Sequence, residues 1–191
     1  MNLTTALAAS VLAGLLSSCG DPYEEAPQAS LEEAPSPFLR EHALPDGPRI
    51  GWVERVLVCP GGHSLVARID TGAKTSSIHA AEYNRFDRDG KKWIRFSGLD
   101  REKDPYTFEG EFVRMAKIKN RDGSHRERPV VKIGIVLADT YHETEVNLED
   151  RSALNYRLLL GRSYLQQAGV VVNPSATFRT KPNPARVPLS P

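Results

Sequence analysis

The chain has 191 residues, 40% of them hydrophobic, two cysteines and a formal net charge of +1. That is enough to bury one core of ordinary size, and it excludes a disordered chain or a strongly basic nucleic-acid binder. The charge is unevenly spread: seven acids and one base, Arg40, precede Gly47, which leaves 17 acids against 24 bases in the rest. An acidic leader ahead of a basic domain suits an anionic partner.

Residues 1–18 carry no charged side chain, and the apolar run 6–16 is too short to span a membrane but has the length of a signal-peptide core. It ends in Leu16-Ser17-Ser18-Cys19-Gly20. A Leu, two small residues and a Cys resemble the bacterial lipobox, and residues 1–19 therefore read as a lipoprotein signal. The resemblance implies lipidation at Cys19, export, and anchoring at the periplasmic face of a membrane. Residues 20–48 contain Pro22, Pro27, Pro35, Pro37, Pro45 and Pro48 among Ala, Glu and Ser. Such a stretch has little to bury and reads as a disordered acidic tether. With Cys19 acylated, Cys59 is the one thiol left, no internal disulfide forms, and the fold stands on its core.

The pattern then turns to short strands. Residues 52–58 and 64–69 are the first pair, joined by Pro60-Gly61-Gly62. Strands at 83–86 and 91–96 flank Asp87-Arg88-Asp89-Gly90, and strands at 108–119 and 128–137 flank Asn120-Arg121-Asp122-Gly123; Asp-Gly is a hairpin signal. The almost unbroken apolar run 130–137 predicts a strand buried on both faces. Strands follow at 143–148 and 158–160, then a short helix at 161–167 that Gly169 ends, and a last strand at 170–172. Residues 179–191 read as a flexible tail. Many short strands, Gly and Pro turns and one short C-terminal helix predict an all-β barrel over residues 49–178.

Two motifs carry the chemistry. The strand 64–69 runs into Asp70-Thr71-Gly72-Ala73-Lys74-Thr75-Ser76-Ser77-Ile78-His79. Gly72 allows a tight turn there, which projects the Asp70 carboxylate from a strand end with Thr71 beside it. Taken alone, the triplet reads as a plain β-turn with an Asp at its entry. Ninety residues later comes Leu158-Leu159-Leu160-Gly161-Arg162-Ser163-Tyr164. Together, in this order, the two resemble the retropepsin pattern of a catalytic Asp-Thr-Gly-Ala, a flap hairpin and a hydrophobic-hydrophobic-Gly-Arg step into a short helix.

More narrowly, the run from Asp70 to Ala80, Arg128-Pro129-Val130-Val131, and Asp150-Arg151-Ser152 through Arg162 resemble a bacterial family often labelled ATP-dependent zinc proteases. Some members are associated with glutamate-ligating ATP-grasp enzymes. The resemblance implies a single retropepsin-like acid-protease barrel with Asp70, Thr71 and Gly72 catalytic. Neither half of the label has support in the residues. There is no Gly-rich loop with Lys-Ser/Thr for ATP, and His42, His63, His79, His125 and His142 show no metal-ligand spacing. No cofactor and no metal are expected.

Aspartic peptidases hold a water between two carboxylates that share one proton. One Asp-Thr-Gly per chain implies a homodimer with two copies of Asp70. Lys74, four residues on, argues differently: an ammonium reaching Asp70 disfavours a shared-proton pair. Asp70 then acts as base in a one-chain site with His79 as acid or orienter, or Lys74 and Arg162 bind carboxylates of an acidic, glutamate-rich substrate. Arg162 reads equally as a structural partner of an acid such as Asp150, and His79 as an ordinary strand residue. Ser76 and Ser77 have no His–Asp pair behind them and read as hydroxyls supporting the turn. The expected activity is a lipid-anchored hydrolase of peptide or glutamyl amide bonds. The alternative is a non-catalytic envelope module that holds an acidic peptide or protein in the barrel groove.

Overall fold

The computed structural model describes residues 47–119, 123 and 125–189. The expected signal peptide with Cys19, and the tether up to residue 46, lie outside the described residues. The strands are β1 (Arg49–Cys59), β2 (His63–Ile69), β3 (Ser76–His79), β4 (Glu82–Arg88), β5 (Lys91–Leu99), β6 (Pro105–Lys119), β7 (His125–Leu137), β8 (Thr140–Glu149), β9 (Leu158–Leu160) and β10 (Val171–Thr177), with helix α1 (Arg162–Ala168) between β9 and β10. They form one sheet in the order β10-β1-β2-β9-β3-β8-β7-β6-β5-β4, and β1 also pairs with β7. Six strands, β1-β2-β9-β3-β8-β7, therefore close a ring.

Closure depends on β1 changing neighbours along its length. Arg49 to Val53 run parallel to β10, whereas Leu57, Val58 and Cys59 pair antiparallel with Val136, Ile135 and Gly134 of β7. The ring is filled by β-branched and leucine side chains at alternate positions. Val56, Leu65, Ala67, Ile78, Ile135 and Leu158 are each 2% exposed or less. Each large aliphatic of this kind contributes ~1.5–3 kcal/mol on burial. In β7 only Lys132 interrupts burial between Pro129 and Leu137, as the apolar run predicts. Beyond the ring, β6, β5 and β4 extend the sheet as antiparallel neighbours. The β4–β5 turn places Asp89 and Gly90 at φ of 50° and 75°, the two left-handed positions that a tight hairpin of this hand requires.

The structure departs from the sequence expectation in two places. The segment after Asp-Thr-Gly is itself a strand, β3, and all four of its residues are buried. Its polar composition hides this, because its hydroxyls are buried against partners from remote segments. The tail, expected to be loose from residue 179, is tied down as far as Val187. The fully buried Glu54 carboxylate accepts from the backbone N–H groups of Gly51 (2.6 Å), Arg179 (2.9 Å) and Thr180 (3.1 Å), and from Thr180 Oγ1 (3.1 Å). Farther on, Arg186 pairs with Asp139 and Asn183 N–H donates to Ala138 O (2.8 Å).

Candidate active site

The two motifs meet because β2 and β9 are parallel neighbours, with Ile69 opposite Leu160. Asp70 N–H continues that ladder by donating to Leu160 O (2.9 Å), which fixes the Asp70 backbone at the strand ends. The turn then folds under its own carboxylate. Asp70 Oδ1 accepts from Gly72 N–H (2.9 Å) and Ala73 N–H (3.1 Å). The side chain remains 25% exposed, and Oδ2 stands 3.8 Å from Arg68 Nε. Oδ1 is held by the backbone, whereas Oδ2 takes no hydrogen bond from the described residues.

The second motif clasps this loop from behind. Arg162 N–H donates to Ala73 O (2.9 Å) and Ser163 N–H to Lys74 O (3.1 Å). Arg162 Nη1 donates to Thr71 O (3.0 Å) and Gly72 O (2.8 Å). Gly161 N–H donates to Ser76 Oγ (3.1 Å). A Cβ on Gly161 would lie 2.5 Å from Thr75 O, so the motif needs glycine for this close approach.

These contacts correct two expectations. Arg162 does not pair with Asp150; it neutralises the turn's exposed carbonyls instead, and the engaged group of Thr71 is its carbonyl. Asp150 accepts from Ser152 N–H (2.9 Å), and hydrogen bonding from Ser152 holds its carboxyl below the usual range. Lys74 is exposed and makes no ion pair among the described residues; the cation paired with Asp70 is Arg68, two positions before it. On an extended chain residues two apart share a face, which is what sets Arg68 beside Asp70.

His79 sits at the far end of β3 from Asp70. Its Nδ1 accepts from Arg151 N–H (3.0 Å) and lies 3.5 Å from Asp150 Oδ1, while its carbonyl accepts from Tyr106 O–H (2.7 Å). Burial, followed by the nearby Arg157 charge, lowers the imidazole pKa despite Asp150. The ring is a neutral acceptor at Nδ1 with its proton on Nε2, and it is not brought to Asp70.

Register places a basic floor beside the site. Arg68 lies opposite Leu159, Leu159 opposite Ser77, Ser77 opposite Asn147, Asn147 opposite Val130, and Val130 opposite Arg114. Partners in register share a face of the sheet, so this row runs across five strand boundaries on the Asp70 side. Two residues before Val130 on β7, Arg128 Nη1 reaches Asn147 Oδ1 at 3.4 Å. Glu149 bridges two guanidinium groups, Arg128 Nη2 (2.7 Å) and Arg151 Nη1 (3.2 Å). Burial pushes the Arg151 guanidinium pKa down, Glu149 offsets that, and Arg128 and Arg68 add to it. Neither Arg128 nor Arg151 was assigned a role from sequence, although both stand in the motifs that carried the resemblance.

Thr71 of the Asp-Thr-Gly loop also lines a groove of about 540 Å³, together with Arg162, Leu165, Val170, Val171 and Val172 among others. Among the described residues no three His, Cys, Asp or Glu side chains gather as a metal site would. Cys59 is free and buried, with burial pushing its thiol pKa up.

A family model described as "Retropepsin-like aspartic endopeptidase RimB" matches residues 49–183. The chain is 34% identical over 121 residues to a Shewanella pealeana protein named "Probable alpha-L-glutamate ligase", covering 62% of this chain and 26% of that one. A Desulfotalea psychrophila protein of the same name is 32% identical over 115 residues, covering 59% and 25%. The chain thus spans about a quarter of the length of the curated relatives it matches. The crystal structure of Lpg0085 from Legionella pneumophila, a protein described as of unknown function, is 35% identical with a TM-score of 0.62, covering 70% of this chain and 98% of that one.

Proposed function

We infer the function from one premise: the chain belongs to the RimB-like family of retropepsin-like aspartic endopeptidases. We propose that it hydrolyses peptide or glutamyl amide bonds in acidic peptides, with Asp70 activating the attacking water. The observation that carries this reading is the Asp70 carboxylate itself, pinned at Oδ1 by two backbone N–H groups, with Oδ2 taking no hydrogen bond from the described residues. A base held this way keeps its lone pair aimed at one point, which is what a positioned water requires.

In the proposed reaction Asp70 takes a proton from water as its oxygen attacks the amide carbon, and a second carboxyl group protonates the leaving nitrogen. The chain has one Asp-Thr-Gly, and among the described residues no second carboxylate stands against Asp70. The reading therefore takes the acid from Asp70 of a second copy across a two-fold axis. The apolar groove of Thr71, Leu165 and the three valines beside the loop is a face on which that copy can pack.

Support for an acidic substrate comes from Arg68, Arg114, Arg128 and Arg151 on the Asp70 side of the sheet, four guanidinium groups that share three carboxylates, Asp70, Glu145 and Glu149. The relatives' name, which speaks of ligating glutamate, agrees with that charge. Export and lipidation at Cys19 complete the proposal and rest on the sequence of residues 1–20. One observation favours the alternative of a non-catalytic acidic-peptide module: Arg68 lies 3.8 Å from Asp70 Oδ2, where it satisfies the carboxylate as a structural partner would. Turnover of an acidic peptide by the full chain, lost in Asp70→Asn at unchanged melting temperature, separates the two readings.

A further inference from the structure

We propose a second binding site, at the end of the barrel away from Asp70, that takes a single aromatic ring carrying a carboxylate. A cavity of about 260 Å³ opens there, lined by Cys59, Arg88, Trp93, Glu109, Gly134 and Tyr141 among others. Val58, next to Cys59, pairs with His63 at the start of β2. Asp70 follows the other end of β2, one strand length or about 20 Å away. The site therefore stands apart from the hydrolytic reading.

Size and walls select the ring. A cavity of about 150 Å³ is enough for benzene, so this one holds a ring and a short substituent. Tyr141 packs against Leu57, Cys59 and Val136, and it lies so close over Gly134 that a Cβ there would stand 2.4 Å from the ring. Trp93 is held by the Arg88 guanidinium, 4.9 Å from its ring centroid. Both aromatic side chains are half-buried. They offer flat apolar surface that is fixed before a ligand arrives.

Charge selects the substituent. Glu143 is taken by Lys132 Nζ (2.7 Å), and Glu109 is shared by Arg88 and Arg95. Three cations thus divide two carboxylates, which leaves one positive charge over. Arg88 also packs against the Phe86 ring, 5.1 Å from its centroid, so its guanidinium is held in place at the cavity wall. Tyr141 O–H makes no hydrogen bond among the described residues. Burial, followed by the Glu143 charge, pushes the phenol pKa up, so the group keeps its proton as a donor. A carboxylate can accept from both the guanidinium and the phenol, whereas a neutral amide gains less at Arg88. A free aromatic acid and the C-terminal aromatic residue of a peptide present this same chemistry.

The test titrates the isotope-labelled full chain with phenylacetate, phenylacetamide and N-acetylphenylalanine, and follows backbone amide shifts. Phenylacetate is expected to shift Ile133 and Gly134 saturably with a Kd of about 1 mM, and phenylacetamide to bind about fivefold more weakly. Arg88→Gln is expected to erase that ratio while leaving hydrolysis of an acidic peptide unchanged. Tyr141→Phe keeps the ring, loses the O–H and lowers affinity for the acid about threefold. Gly134→Ala drives the Tyr141 ring into the cavity and abolishes binding of both ligands. If that variant fails to fold, Trp93→Ala removes one wall instead and weakens both ligands together. N-acetylphenylalanine binding tighter than phenylacetate assigns the site to a peptide C-terminus, and the reverse assigns it to a free acid. Equal affinity for acid and amide, a ratio that survives Arg88→Gln, or shifts centred on the groove of Thr71 and Val170 would overturn the site.

Discussion

Arg162 and Thr71 lie 91 residues apart in sequence, yet the Arg162 guanidinium donates to Thr71 O at 3.0 Å and to Gly72 O at 2.8 Å. The arginine of the second motif thereby anchors the backbone of the first. Removing it in Arg162→Ala leaves two carbonyls to water. Because the side chain is exposed, the stability loss is modest, ~1 kcal/mol. Activity suffers more, because the loop that aims Asp70 loses its clasp. An expected drop in kcat of tenfold or more is read by steady-state peptide hydrolysis; a kcat equal to wild type contradicts the positioning role.

Gly161 is the closest approach between the motifs. A methyl group there meets Thr75 O at 2.5 Å and Ala73 O at 3.0 Å, and both are backbone atoms that cannot swing aside. Gly161→Ala is therefore expected to lose about 1–3 kcal/mol, the usual cost of overpacking. Chemical denaturation with both proteins measures it, and equal midpoints would count against the clasp as drawn.

The tail gives a prediction far from the site. Glu54 is the shared acceptor for Gly51, Arg179 and Thr180. Glu54→Ala strands three backbone donors in a buried place, at roughly 1–3 kcal/mol for each one left unsatisfied. Limited proteolysis reads the local part: cleavage after Phe178 is expected to accelerate in the variant, and an unchanged digestion pattern would show that the tail is held by something else.

His79 sets an acid limb on stability. Its folded-state pKa is lowered from the usual 6.5, mainly by burial, so the unfolded chain binds its proton first. Stability is complete above that value and is lost as pH falls from it toward the lowered folded pKa. His79→Gln is expected to flatten the melting temperature against pH across that window, and a slope equal to wild type rejects the assignment.

Much of the barrel was legible in the sequence, because strands with period-two burial and Gly or Pro turns are local signals. The hairpin at Asp89-Gly90 and the helix stop at Gly169 are of that kind. β3 was not legible: Ser76 and Ser77 look like turn residues until Gly161 N–H and Arg151 Nη1 are placed on their hydroxyls. The same reason hid the tail, whose anchor Glu54 sits 125 residues before Arg179. At the site, Asp70 and the Leu-Leu-Gly-Arg step were visible as motifs. Arg68, Arg128 and Arg151 were not, since their grouping depends on register across β2, β9, β3, β8 and β7, which no local pattern encodes.

The central claim is that Asp70 activates water. The most direct measurement is release of new amino groups from an acidic peptide by the full chain, compared with Asp70→Asn at matched concentration and melting temperature. Hydrolysis by the wild type with none above background in Asp70→Asn is the predicted result, because the amide keeps the turn's hydrogen bonding but cannot take the proton. A folded Asp70→Asn that cleaves at the wild-type rate would contradict it.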